Sequence, residues 1–363
     1  LGSLNQLGGR LIINKGELHI HGNYNMLRNK DAGSIEGTRA ILMMSSEDDY
    51  VYIDGSYNVA TEIGIEDYMK RGTIEIKGDM EFNNINSNYQ NFSDKLIFVF
   101  SGKDTQTIRK YRCGQYVQLG TMILRNPSGI YLADDMTITC PVEGSSMLHG
   151  TAGKNLYWQN GEAPELESFE GNLYIQSPVT LTKDLNVGGS LVIESPLDIN
   201  GHNLSADNMY VRNTCTINGG VIRVRKDMFL DNYRGSLTMD KEKDILQITG
   251  NLNASTGLLG LLAGQLDIKG NVNISNTSVN TGEGHTTTLS GKMTSKGTAY
   301  IQTVTVKNGI RFNKLVLTKP RDYYVFNRDV EGMCSELTDD IQDILSKIRA
   351  ILPEEIKTET RYC

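Results

Sequence analysis

Seven stretches of this chain fit one eleven-residue frame, and that frame limits the possible folds more than any other feature. Gly16–Met26 reads GELHIHGNYNM, Gly72–Phe82 reads GTIEIKGDMEF and Gly264–Ile274 reads GQLDIKGNVNI. The shared pattern is G-x-φ-x-φ-x-G-x-φ-x-φ, with φ apolar. Asp49–Val59, Gly189–Ile199, Gly220–Leu230 and Asp244–Ala254 fit with one or two glycines replaced. Alternation at period two sends one set of side chains inward and the other outward. The central glycine, usually followed by Asn, Asp or Ser, reads as a corner with positive φ between two short strands. Such a unit cannot bury its inner face alone, so it must stack on neighbours.

A larger repeat lies over the small one. Leu42–Gly55 (LMMSSEDDYVYIDG) parallels Leu237–Gly250 (LTMDKEKDILQITG). Gly8–Ile12 parallels Gly219–Ile222, and Lys77-Gly78 parallels Lys269-Gly270. Ser101–Lys103 parallels Ser290–Lys292, and Met122–Leu132 parallels Leu315–Val325. The matches keep their order, which reads as a duplicated module. The expected division is a first copy over 1–135, connecting rungs over 136–216, a second copy over 217–330 and a distinct tail over 331–363. The least regular part, 141–171, reads as an insertion or boundary.

Short strands at this spacing suit a sandwich, a barrel or a solenoid. The frame bends without reversing its inside pattern, so the expected fold is all-β: a parallel β-solenoid, or β-helix, of short stacked rungs. Asparagine, 31 residues of 363, is expected to stack into ladders between rungs. The tail differs. In 335–352 (SELTDDIQDILSKIRAIL), Leu337, Ile341, Ile344, Leu345, Ile348 and Leu352 share one helical face. Thr338 reads as the N-cap and Pro353 as the stop. This amphipathic helix would either cap the last rung or link to a further domain.

Chemistry is sparse. With net charge −7 and scattered Lys and Arg, the chain lacks the basic footprint of a nucleic-acid binder. No apolar run approaches a membrane span, so no insertion is expected. The five cysteines form no zinc spacing and no disulfide framework, and Cys215 reads as a core residue. No cofactor or metal site and no catalytic residue is assigned. His19 and His21 lie on the same outward side of a strand, too few for a metal site on their own. Asp48-Asp49 and Asp134-Asp135 read as turn and surface charge. His149, His202 and His285 lie beside glycines and read as loop residues. Tyr50 and Tyr52 alternate with Val51 and Ile53 and are expected to face outward. Together with Trp158 in the 141–171 insertion, they are the candidate binding residues.

GTIEIKGDMEF (72–82), SGKDTQTI (101–108) and MILRNP (122–127) also carry a likeness. They resemble the repeated β-solenoid modules of very large exported proteins of clostridia-like, Gram-positive gut bacteria, and more loosely filamentous-haemagglutinin repeats. The likeness spans about 300 residues. It implies a secreted or cell-surface stalk or adhesin, joined to flanking domains of a longer chain, with no catalytic residues carried over. The expected function is a non-enzymatic segment that displays a rigid surface to a host protein, a glycan or another copy of itself. The alternatives are a β-helix enzyme acting on polysaccharide and the carrier stalk of a toxin-delivery protein.

Overall fold

The computed structural model describes residues 2–27, 39–60, 68–83, 89–111, 116–166, 168–255, 257–275, 279–291, 301–306, 310–318, 324–327 and 330–332. The fold is all-β, a parallel β-solenoid of about 12 turns. The chain divides into two compact units, one of Leu1–Ser177 with Leu185–Gly189, the other of Pro178–Asp184 with Ser190–Cys363. That division falls inside the stretch read as connecting rungs. The tail segment 335–352, with Cys334 and Cys363, lies outside the described residues, and so does Cys113.

In the first unit each complete rung carries three strands, one per face. Glu17–Ile20, Tyr50–Ile53, Gly72–Ile76, Leu96–Phe100, Thr121–Leu124 and Val142–Glu143 stack along one face. Tyr24–Met26, Tyr57–Val59, Met80–Phe82, Gln106–Lys110 and Ile130–Leu132 stack along the next. Pairing is parallel and in register, so identical positions of successive rungs fall in columns. Ile20, Ile53, Ile76, Phe100 and Leu124 form one inner column, and none is more than 2% exposed. In the second unit the matching column is Ala206, Val224, Ile248, Ile268 and Leu289, equally buried. Burying each larger aliphatic side chain contributes about 1.5–3 kcal/mol, which is why the alternation dictates the register.

Matching hydrogen bonds recur at the aligned positions of the two halves. The buried Asp49 carboxylate accepts the amides of Lys15, Ser45 and Ser46 at 2.7, 2.7 and 2.9 Å. Its counterpart Asp244 accepts those of Gly219, Asp240 and Lys241 at 2.5, 2.8 and 3.0 Å. Gln106 Nε2 donates to the Ile76 and Gly78 carbonyls at 3.0 and 2.5 Å. Gln302 Nε2 does the same to Ile268 and Gly270 at 3.0 and 2.6 Å. The Ser101 hydroxyl donates to Glu75 at 2.5 Å, as Ser290 does to Asp267.

Three expectations change. The central glycines of the frame are not left-handed; positive φ occurs instead at the first glycine, at Gly72 (110°) and Gly264 (83°). The central glycine is required by close approach. A Cβ at Gly78 would lie 2.5 Å from the carbonyl carbon of Gly55 one rung earlier, and the Gly78 amide donates to that same carbonyl at 2.9 Å. Region 141–171 is not irregular throughout: Val142–Glu143, Leu148–Gly150 and Asn155–Trp158 stack on Thr121–Leu124, Ile130–Leu132 and Met136–Ile138 of the preceding rung, whereas the described residues of 159–171 form only an isolated bridge at Phe169. Finally, the frame match at Gly189–Ile199 is out of phase. Its second arm, Leu197–Asp198, pairs on a different face, with Val179–Thr180 and Cys215–Thr216. The rung above runs straight through the corner as the single strand Asn203–Val211.

Candidate functional site: an outer side-chain network

The residue after each central glycine forms the seam of the corner. In the first unit the Asn23 amide donates to Ser3 Oγ (3.1 Å), Ser56 to Asn23 Oδ1 (2.8 Å), Asp79 to Ser56 Oγ (3.2 Å) and Thr107 to Asp79 Oδ1 (2.7 Å). In the second unit Asp227, Asn251, Asn271 and Thr303 repeat the scheme. Short polar side chains suit this job, because they reach the next backbone amide without leaving the corner. Asparagine ladders form as expected: Asn58 donates to Asn25 at 2.6 Å and Asn25 to Asn5 at 2.7 Å. Asn273 donates likewise to Asn253 at 2.9 Å.

Beside the first seam, the outer positions of three consecutive strands join into one network. Tyr50 and Tyr52 do face outward, half-buried among their neighbours. Tyr50 donates its hydroxyl to Glu75, which also accepts from Ser101. Tyr52 donates to Asp54 Oδ1 at 2.8 Å. Asp54 also meets His21 Nδ1 at 3.1 Å and Lys77 Nζ at 3.7 Å. The Tyr52 ring is flanked by His19 from the strand before, 5.4 Å between centroids, and by Lys77 from the strand after, 4.7 Å above the ring. His19 in turn meets Glu17 at 3.1 Å.

The electrostatics follow from these contacts. Hydrogen bonds from Tyr52 and then His21 hold the Asp54 carboxyl below its usual range. Its contact with Tyr52 raises the Lys77 ammonium. Partial burial, then the bond to Glu75, raises the Tyr50 phenol, which therefore stays a neutral donor. Exposed ion pairs of this kind contribute about 0–1 kcal/mol each to stability. Their effect is on geometry, because His19, Tyr50, Tyr52, Asp54, Glu75 and Lys77 are each held by at least two neighbours.

Glu75, Lys77, Asp54 and Ser101 were not singled out from the sequence. The signal was there: His21, Asp54 and Lys77 each occupy the position just before the central glycine, so parallel stacking sets them side by side. Trp158 does not join this face. It is 1% exposed, with Nε1 donating to the Glu162 carbonyl at 2.6 Å, so it is a core residue. His149 and His285 lie on strands, not loops. His149 stacks on Tyr131 at 4.8 Å. His285 is fully buried, with Nδ1 2.9 Å from the Ala263 carbonyl and Nε2 3.2 Å from Thr287 Oγ1. Asp48 is exposed as expected, whereas Asp49 is a buried turn brace. Cys215 is a core residue whose thiol is pushed up to about 12 by burial. Among the described residues no group of three or more metal-ligating side chains forms, and no helix is long and apolar enough to cross a membrane. No family model, curated protein or solved structure matches the chain.

Proposed function

We propose that this chain is a non-enzymatic structural and adhesive segment of an exported bacterial protein, and that it acts by rigid display. The observation that carries the reading is the network of Glu17, His19, Tyr50, Tyr52, Asp54, Glu75 and Lys77 across three rungs. A side chain already held on both sides loses little freedom when a partner arrives, so the ordering cost of binding is small. Tyrosine adds large, stiff contact area with a polar tip, a feature of binding hot spots. Export and surface exposure rest on the likeness of the 72–82, 101–108 and 122–127 phrases to solenoid modules of exported proteins.

The face suits another protein better than a sugar. Sugar binding by aromatics uses an open ring face, and the Tyr52 ring has Lys77 on one side and His19 on the other. A protein surface can instead meet the mixed charges and phenol edges laterally. The test is a binding screen of the chain against host-protein and glycan panels, with sugar release assayed on the same glycans. Saturable binding to a protein, lost in Tyr50→Ala/Tyr52→Ala with the circular-dichroism spectrum unchanged, supports the reading. Release of reducing or unsaturated sugar ends would replace it with a polysaccharide-cleaving β-helix. Binding that survives the double substitution would place the contact surface elsewhere.

A further inference from the structure

One face of the second unit carries a block of asparagines with no charge among them. Leu252–Ala254, Val272–Ile274 and Gln302–Val306 stack there in register. Their corner and outward positions are Asn251 and Asn253, Asn271 and Asn273, Thr303 and Thr305. All six carry a carboxamide or a hydroxyl, in a chain where 22% of residues are charged. The neighbouring face of the same unit differs, with Arg223, Gln247 and Asp267 in one outward column. Each asparagine is half engaged. Asn251 Oδ1 accepts the Asn271 amide at 2.8 Å, and Asn271 Oδ1 the Thr303 amide at 2.9 Å. Both carboxamides are planar, so the bond at Oδ1 turns each Nδ2 away from the backbone it braces. Asn273 Nδ2 donates to Asn253 Oδ1 at 2.9 Å. Among the described residues Asn253 Nδ2 and Asn273 Oδ1 take no partner.

We propose that this face is a binding site for an extended, uncharged glycan chain lying across the rungs. The chemistry selects the class. A sugar hydroxyl both donates and accepts, and a carboxamide offers both functions in one planar group. Stacking repeats those groups every ~4.8 Å, so an extended polymer meets a fresh pair at each rung. The bond each asparagine already makes fixes its side chain before a ligand arrives, which keeps the ordering cost small. A polyanion would need cations, and the block has none. A protein interface needs an apolar centre, whereas Leu252, Ala254, Val272 and Ile274 of these strands are buried in the core. Tyr210 and Phe229, stacked 4.8 Å apart, continue the Asn253 column on the preceding rungs. Both are half-buried and add apolar surface for the C–H groups of a sugar. This site is independent of what the outer network of the first unit binds.

Titration calorimetry of the full chain with hexasaccharides tests it. The neutral probes are β-linked hexamers of glucose, xylose and mannose, and the charged probe is a galacturonate hexamer. Saturable binding of a neutral probe is expected. Asn253→Ala/Asn273→Ala is expected to weaken it about ten-fold, through loss of two hydrogen bonds, and Tyr50→Ala/Tyr52→Ala to leave it unchanged. Saturation by none of the neutral probes would overturn the proposal, as would tighter binding of the galacturonate. Full affinity in Asn253→Ala/Asn273→Ala would also overturn it. So would loss of sugar binding in Tyr50→Ala/Tyr52→Ala, which would assign the sugar to the first unit. A second arm uses the unchanged chain, so a variant that fails to fold does not remove the test. In hydroxyl-radical footprinting, a saturating neutral probe is expected to slow labelling of Tyr210 and Phe229. Tyr131, 38% exposed on the first unit, is the reference and is expected to label at its original rate. Equal protection of all three, or of none, would contradict the site.

Discussion

Gly78 and Gly270 are held by space, and this separates them from glycines held by backbone conformation. A Cβ at Gly78 would strike the Gly55 carbonyl, and one at Gly270 would strike that of Gly250. Because the obstacle is backbone, neither site can relax by moving a side chain. Gly78→Ala and Gly270→Ala are each expected to cost about 1–3 kcal/mol or more, measured as a drop in the urea midpoint. Gly153→Ala meets no atom within 4 Å, and its φ of 78° is the only strain, so it is expected to cost about 1 kcal/mol. Equal losses at Gly78 and Gly153 would contradict the close-approach account. His285 gives a pH signature. Burial holds its imidazole below the ordinary value of 6.5, so the folded state favours the neutral ring. The unfolded chain then binds more protons in the window just below 6.5, and stability falls as pH falls through it, levelling below the folded value. The stability difference between the unchanged chain and His285→Gln is expected to shrink from pH 7.5 to 5; a difference independent of pH would contradict this.

At the scale of the element, equivalent bonds should carry equivalent energy. Gln106 and Gln302 each bridge two carbonyls of the rung below. Gln106→Leu and Gln302→Leu are expected to destabilise by about 1–3 kcal/mol each, with calorimetry as the readout; a large cost at one and none at the other would argue against the duplication. The strands and their inward sides were legible in the sequence because period-two alternation survives in nearly every rung. The corner was legible in place but not in cause, since a glycine required by a neighbouring backbone reads the same as one required by φ. The strands within 141–171 were not legible because they are short and flanked by Gly and Ser, with burial supplied by neighbouring rungs. The frame match at Gly189–Ile199 failed for the opposite reason. Its pattern is right, yet the strand Asn203–Val211 shows that the neighbouring rung spaces its apolar residues differently across the corner. Of the candidate site, Tyr50 and Tyr52 were visible as outward residues. Trp158 was not separable, because alternation alone does not say which side of Asn155–Trp158 meets the core.

At the scale of the whole molecule, the columns turn a sequence repeat into a surface. A side chain in one rung finds its neighbours at the same position of the next, so charge and ring contacts arise in rows: His21 with Asp54 and Lys77, or Asn5 with Asn25 and Asn58. The proposed display function depends on this geometry, and a register shift of one residue would turn the row inward. Cysteine pairs test it directly. Asn25 and Asn58 are register partners, whereas Asn25 and Glu81 are separated by the intervening rung of Asn58. Adjacent strands stand about 4.8 Å apart, within the Cα separation a disulfide accepts, and strands two rungs apart do not. In Asn25→Cys/Asn58→Cys, mild oxidation followed by peptide mapping is expected to find an intramolecular bond between the two introduced sulfurs. In Asn25→Cys/Glu81→Cys it is expected to find none. A bond in the second variant and not in the first would contradict the parallel, in-register stack, and with it the outer face built upon it.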